Sequence, residues 1–167
     1  MNIWAKLFGS GQDRLNQRMR EIGQRVAKNA IRTQGPVDTE QEARQLVRTF
    51  AISSKPRDVS AYRDVADHLL ATYEPSVAYF VAVKIDIQMR PTLGYVPIGQ
   101  IVLAIEQAGQ GERIDRAADF LTCALLNLGT IEMARQAFTL YRSPKISSAV
   151  AARLRSYDGE VASFIVG

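Results

Sequence analysis

The stretch SVAYFVAVKIDIQMR, residues 76–90, decides whether the chain is built of helices alone. Val81, Val83, Ile85, Ile87 and Met89 alternate with Ala82, Lys84, Asp86, Gln88 and Arg90, which is the period of a half-buried strand. The same residues follow Pro75, and proline suits the first turn of a helix, where its missing N–H would have no acceptor anyway. Read that way, the stretch is a buried helix like its neighbours. Both readings stand, with helix narrowly preferred. A lone strand near 79–89 would find a partner only in the C-terminal ASFIVG, residues 162–167, or in a second copy of the chain.

Upstream the helical pattern is plain. In RLNQRMREIGQRVAKNAIR, residues 14–32, Leu15, Met19, Ile22 and Val26 are spaced 4, 3, 4 and followed by Ala30, a helix seam. Gly35 and Pro36 end it, one able to take a left-handed cap and the other unable to continue the helix. Before it, Ile3, Trp4, Leu7 and Phe8 share one side of a short helical turn that Gly9-Ser10-Gly11 is expected to break. Thr39-x-x-Glu42 reads as a capping box opening a helix through Ala43, Leu46, Val47 and Phe50. A third helix, capped by Asp58 or Ser60, buries Tyr62, Val65, Ala66, Leu69, Leu70 and Tyr73.

Downstream, helices are expected over 97–108, 112–128, 130–143 and 146–157, ended by Gly109, Gly129, Pro144 and Asp158-Gly159. Such short links force antiparallel hairpins. Within them LTCALLNLGTIEMARQAFTLYRSP, residues 121–144, resembles a tetratricopeptide-type helix-turn-helix unit. Gly129 stands at its turn, Ala134 where its helices touch, Phe138 at its packing aromatic and Pro144 at its terminator. The first helix lacks the usual Trp and Gly of that repeat, and GERIDRAADFL, 111–121, echoes the pattern only through Ile114, Ala117 and Leu121. The resemblance covers one partial unit and implies helical-repeat architecture. The fold expected is mainly α: antiparallel helical hairpins stacked as a short α-solenoid or irregular bundle.

Composition bounds the function. At 167 residues the chain has room for one domain with a real core. Apolar residues make up 47% and charged ones 23%, the profile of a globular protein. Nothing in it reads as a signal peptide or a membrane span. A single cysteine, Cys123, suits a reducing compartment, so a cytoplasmic location is expected. The net charge of +4 is unevenly placed: residues 1–35 hold seven bases against two acids, the other 132 residues fourteen against fifteen. We therefore divide the chain into a basic amphipathic N-terminal arm, 1–35, and a helical domain, 36–167. That domain is expected to fold without the arm.

On a helical wheel Arg14, Arg18, Arg25, Lys28 and Arg32 gather within about 80° beside the apolar seam, with only Arg20 elsewhere. They form an anion- or partner-facing ridge, or a solvated face on which Glu21 pairs with Arg18 and Arg25. Trp4, Leu7 and Phe8 form a candidate hydrophobic anchor. Catalytic chemistry finds little support. His68 is the only histidine, so a triad or metal site would depend on it alone. Cys123 lies among leucines, Asp115 and Asp119 have arginines nearby, and GQGER, 109–113, lacks the P-loop Lys-Ser/Thr. We expect no enzyme, metal or cofactor. The leading expectation is a protein-binding or scaffold module, its partner another protein or its own copy in an oligomer. The alternatives are a nucleic-acid binder using the ridge and, below that, a peripheral protein on an anionic membrane surface.

Overall fold

A computed structural model describes residues 3–52, 59–93, 113–141 and 143–167; the side chains of 3–10, 59–62, 90–93 and 113 lie outside that description. Among the described residues there are eight helices and no strand. They are α1 (Ile3–Gln34), α2 (Thr39–Thr49), α3 (Val59–Thr72), α4 (Pro75–Leu93), α5 (Arg113–Leu126), α6 (Ile131–Thr139), α7 (Pro144–Tyr157) and α8 (Gly159–Val166). The fold is mainly α. The expected helix over 97–108, its Gly109 end and the Asp58 cap fall outside the described residues.

Residues 76–90 are helical and 162–166 lie in α8, so neither a strand near 79–89 nor a partner strand in 162–167 exists. Burial shows why the alternation misled. In a strand Val81, Val83, Ile85, Ile87 and Met89 would share one face. Here Val81, Ile85 and Met89, four residues apart, are buried, Val83 is half-buried and Ile87 faces solvent. The true repeat is the helical one, hidden by two further apolar residues on its margin.

Two other local expectations need correction. Gly9-Ser10-Gly11 does not break the chain, because α1 runs unbroken from Ile3 to Gln34. Glycine in a helix interior costs about 1 kcal/mol and leaves its N–H in the ladder, so it weakens a helix without ending it. The cap of α2 is Asp38 rather than Thr39: its Oδ1 accepts the Gln41 N–H at 3.1 Å. Glu42 is drawn away to accept the Tyr73 hydroxyl of the α3–α4 turn. Gly35 does cap α1 in the left-handed region (φ 89°), with its N–H on the Ile31 carbonyl at 2.8 Å.

The core is centred on α5, where every residue from Phe120 to Leu126 is buried. A helix buried all round must be an inner one, and α5 packs on α4 and α7 and also touches α1, α3 and α6. Thr122 is tolerated there because its hydroxyl donates to the Ala118 carbonyl at 2.7 Å. α2 lies on α4, while α7 and α6 both pack on α8. Gly129, at φ 91°, turns the chain between α5 and α6, and Ala134 is fully buried just beyond it.

The segment 1–35 supplies Leu15, Met19, Ile22 and Ala30 to this same core, and α1 meets α4, α5, α6 and α8. Polar clamps fix it along its length. Asn16 Oδ1 accepts the Ile131 N–H at the start of α6 (2.8 Å). At the other end Gln34 Oε1 accepts the Glu74 N–H of the α3–α4 turn (2.6 Å).

Candidate functional site

The five basic residues of the ridge have separate fates. Arg18 turns onto the link between α7 and α8, where Nε and Nη2 donate to Asp158 Oδ2 at 2.9 and 2.5 Å and Nη1 donates to Glu160. Arg14, well exposed, approaches Glu160 at 3.8 Å. Glu21 pairs with neither Arg18 nor Arg25 and instead accepts from the Gln17 side chain. Part of the ridge is thus an internal clamp.

Asp158 is the centre of that clamp. As N-cap of α8 it accepts the Glu160 and Val161 amides, each at 3.1 Å, where the helix dipole also favours a negative charge. Burial opposes its ionisation, but the Val161 amide, the Arg18 guanidinium and the Glu160 amide outweigh it and hold the carboxyl below its ordinary value. A carboxyl more acidic in the folded than in the unfolded chain contributes stability above its unfolded pKa and loses it as pH falls through the folded one. Asp158→Asn keeps an N-cap acceptor but removes the charge that meets Arg18 and the helix dipole, and is therefore expected to lower stability by about 0.5–2 kcal/mol at pH 7. In denaturant titrations the gap to the parent should stay constant down to about pH 4.5 and close below that. A gap unchanged at pH 3 would show that the charge of Asp158 contributes nothing.

The rest of the ridge faces outward. Arg25, Lys28 and Arg32 are exposed, as is Arg20. Arg20, Arg25 and Lys28 have no hydrogen bond or ion pair among the described residues, and Arg32 reaches only the neutral Asn29 side chain at 2.7 Å. The side chains of the anchor residues Trp4, Leu7 and Phe8 lie outside the described residues.

Beside the outer half of α1 lies a polar cleft formed of two lobes of about 280 and 310 Å³, which share Glu74, Pro75 and Asp119. Arg25, Asn29 and Thr33 of α1 line the first lobe, opposite Arg153 and Tyr157 of α7. Arg153 is already neutralised: it donates to Asp119 Oδ1 at 2.6 Å and to Asp115 Oδ1 at 3.1 Å. The carboxylate pair of α5 is thus a pin between helices, and no group of residues with the makings of a metal site occurs among the described ones. In the second lobe Arg116 donates to the Leu70 carbonyl near the end of α3.

Cys123 and Ser76 form the floor of the first lobe, their side chains 3.3 Å apart. Burial pushes the Cys123 thiol up to about 11, against the opposing effect of the Ser76 bond. A thiol at that value is a poor nucleophile at neutral pH. His68 stands between the rings of Phe50 and Tyr73, each 6.1 Å away, as a packing residue. GQGER, 109–112 of it in full and the Arg113 side chain, lies outside the described residues.

Sequence reasoning missed the residues that shape this region most. Nothing in the local pattern singles out Glu74, beside Pro75, or Arg153. Asn16 and Gly23 carried no pattern at all. Each acts through a residue distant in sequence, so no local spacing signals it. No protein-family model, curated protein or solved structure matches the chain, and no helix among the described residues is long and apolar enough to cross a membrane.

Proposed function

We propose that the chain is a non-enzymatic protein-binding module whose outer α1 face and helical hairpins receive an acidic partner. The observation that carries this is the row of cations Arg25, Lys28 and Arg32, which, like Arg20 on the other flank of the helix, have no acidic partner among the described residues although Arg14 and Arg18 on the same helix have found theirs. Aligned charges of one sign steer and orient an oppositely charged surface. The hairpin side adds apolar contact area, with Met133 and Leu140 on and just after α6 exposed by 50% and 73% and Phe164 on α8 by 47%. Nucleic-acid phosphate would meet the same cations, but no row of aromatic side chains lies between them on α1 for base stacking.

The test compares the parent chain with Arg20→Glu/Lys28→Glu/Arg32→Glu as bait in its own cell extract. The parent should retain a defined protein stoichiometrically, weakly at 0.5 M salt, while the triple variant retains at least about tenfold less with unchanged circular dichroism. Retention of no protein together with a strictly monomeric chain overturns the reading. A shift of labelled RNA or duplex DNA at low salt that the triple variant abolishes would transfer the ridge to nucleic acid.

A further inference from the structure

We propose that the cleft beside α1 holds an extended peptide segment, one acidic side chain of which meets Arg25 while a basic side chain about four positions along meets Glu74. This rests on the protein-binding reading above and names the part of the partner that the cleft would take.

The first lobe carries one uncompensated cation, Arg25, and one uncompensated anion, Glu74, beside a compensated pair. Glu74 is tied to the end of α1, since its N–H donates to Gln34. Arg25 lies nine residues before Gln34 on the same helix, so about 13 Å of helix axis separates Arg25 from the residue that holds the Glu74 backbone. Arg25 and Glu74 both border the first lobe, and the side chain of neither has a hydrogen bond or ion pair among the described residues. The lobe's other base, Arg153, is held by its other acid, Asp119, so that pair leaves no net demand for charge. Asn29 and Thr33 lie one and two helical turns beyond Arg25 on the same stripe and offer amide and hydroxyl groups to a passing backbone.

The spacing selects the occupant. A free amino acid holds its two charges within one residue's length, about 3.5 Å, and cannot reach both groups. An extended chain advances about 3.3 Å per residue, so side chains four positions apart match the span. Side chains four apart also leave an extended backbone on the same side. A uniformly acidic peptide would satisfy Arg25 and be repelled at Glu74, which is what makes the cleft selective within a module that otherwise favours acids.

The probes are two synthetic peptides, Ser-Glu-Ala-Ser-Ala-Lys-Ser and its charge-exchanged form Ser-Lys-Ala-Ser-Ala-Glu-Ser, with a Gln-for-both control. Each is titrated into the isotope-labelled full chain and followed by amide NMR shifts. One of the two charged peptides should bind at least fivefold more tightly than both the other and the control, with shifts centred on residues 25–34 and 74–76. Arg25→Glu/Glu74→Arg should reverse the preference between the charged peptides, a reversal that loss of folding cannot imitate. Equal shifts from all three peptides, no shifts, or an unchanged preference in the double variant overturn the proposal. If the peptides fail while the outer-face triple variant still loses its partner, the cleft assignment falls and the module reading survives.

Discussion

A chain lacking residues 1–35 is expected to lose its cooperative unfolding transition. Leu15, Met19 and Ile22 are buried in the common core, Met19 with no exposed surface at all. Burying such side chains contributes about 1.5–3 kcal/mol each, so the three together rival the 5–15 kcal/mol that stabilises a whole domain. Deletion would also uncover α5 and remove the Asn16 and Gln34 bonds that tie α1 to α6 and to the α3–α4 turn. The milder test is Met19→Ala, expected to cost about 2–5 kcal/mol in a denaturant titration. A truncated chain that keeps a sharp transition and parent-like circular dichroism would show α1 to be an appendage after all.

Gly23 should tolerate no side chain, against the ordinary rule for helices. Alanine in place of a helical glycine usually gains about 0.5–1 kcal/mol. At this position a Cβ would stand 2.9 Å from the Leu126 carbonyl oxygen and 3.4 Å from its carbon. Both belong to the backbone at the end of α5 and cannot rotate away, so the helices must separate and loosen the contacts around them. Gly23→Ala is therefore expected to lose about 1–2 kcal/mol and Gly23→Val about 2–4 kcal/mol, since overpacking grows with volume. Gly11, with nothing within 4 Å of an added Cβ, is the control and should gain on substitution. A stabilised Gly23→Ala chain would mean that α1 and α5 lie farther apart than described.

Much of the fold was legible because it depends on near neighbours. The 4, 3, 4 spacing from Leu15 to Val26 gave α1 its buried face, and Leu15, Met19 and Ile22 lie there. Gly35 and Gly129 could be assigned to turns because both need a left-handed backbone, and both have it. The reading of 76–90 stayed open for the same local reason. Alternation and helical spacing share residues 81, 85 and 89, and only burial separates them. The Gly-Ser-Gly break failed because a weak helical position was taken for a forbidden one.

The candidate site was far less legible. The wheel placed Arg14 and Arg18 in the same ridge as Arg25, Lys28 and Arg32, yet the first two face Asp158 and Glu160. Those acids lie 140 residues or more along the chain. Glu74 and Arg25 border one cleft because α1 packs on α4 and Gln34 bonds the α3–α4 turn.

By itself the sequence determined a mainly helical chain, most of its turns and the concentration of positive charge near the N-terminus, because periodicity, capping and charge act within a few residues. The tertiary structure decided that α1 belongs to the core, which of its cations are consumed in holding α8, and where the remaining ones border a cleft. Those outcomes depend on which distant carboxylates and backbone groups come within about 3–4 Å, where ion pairs and hydrogen bonds have their strength.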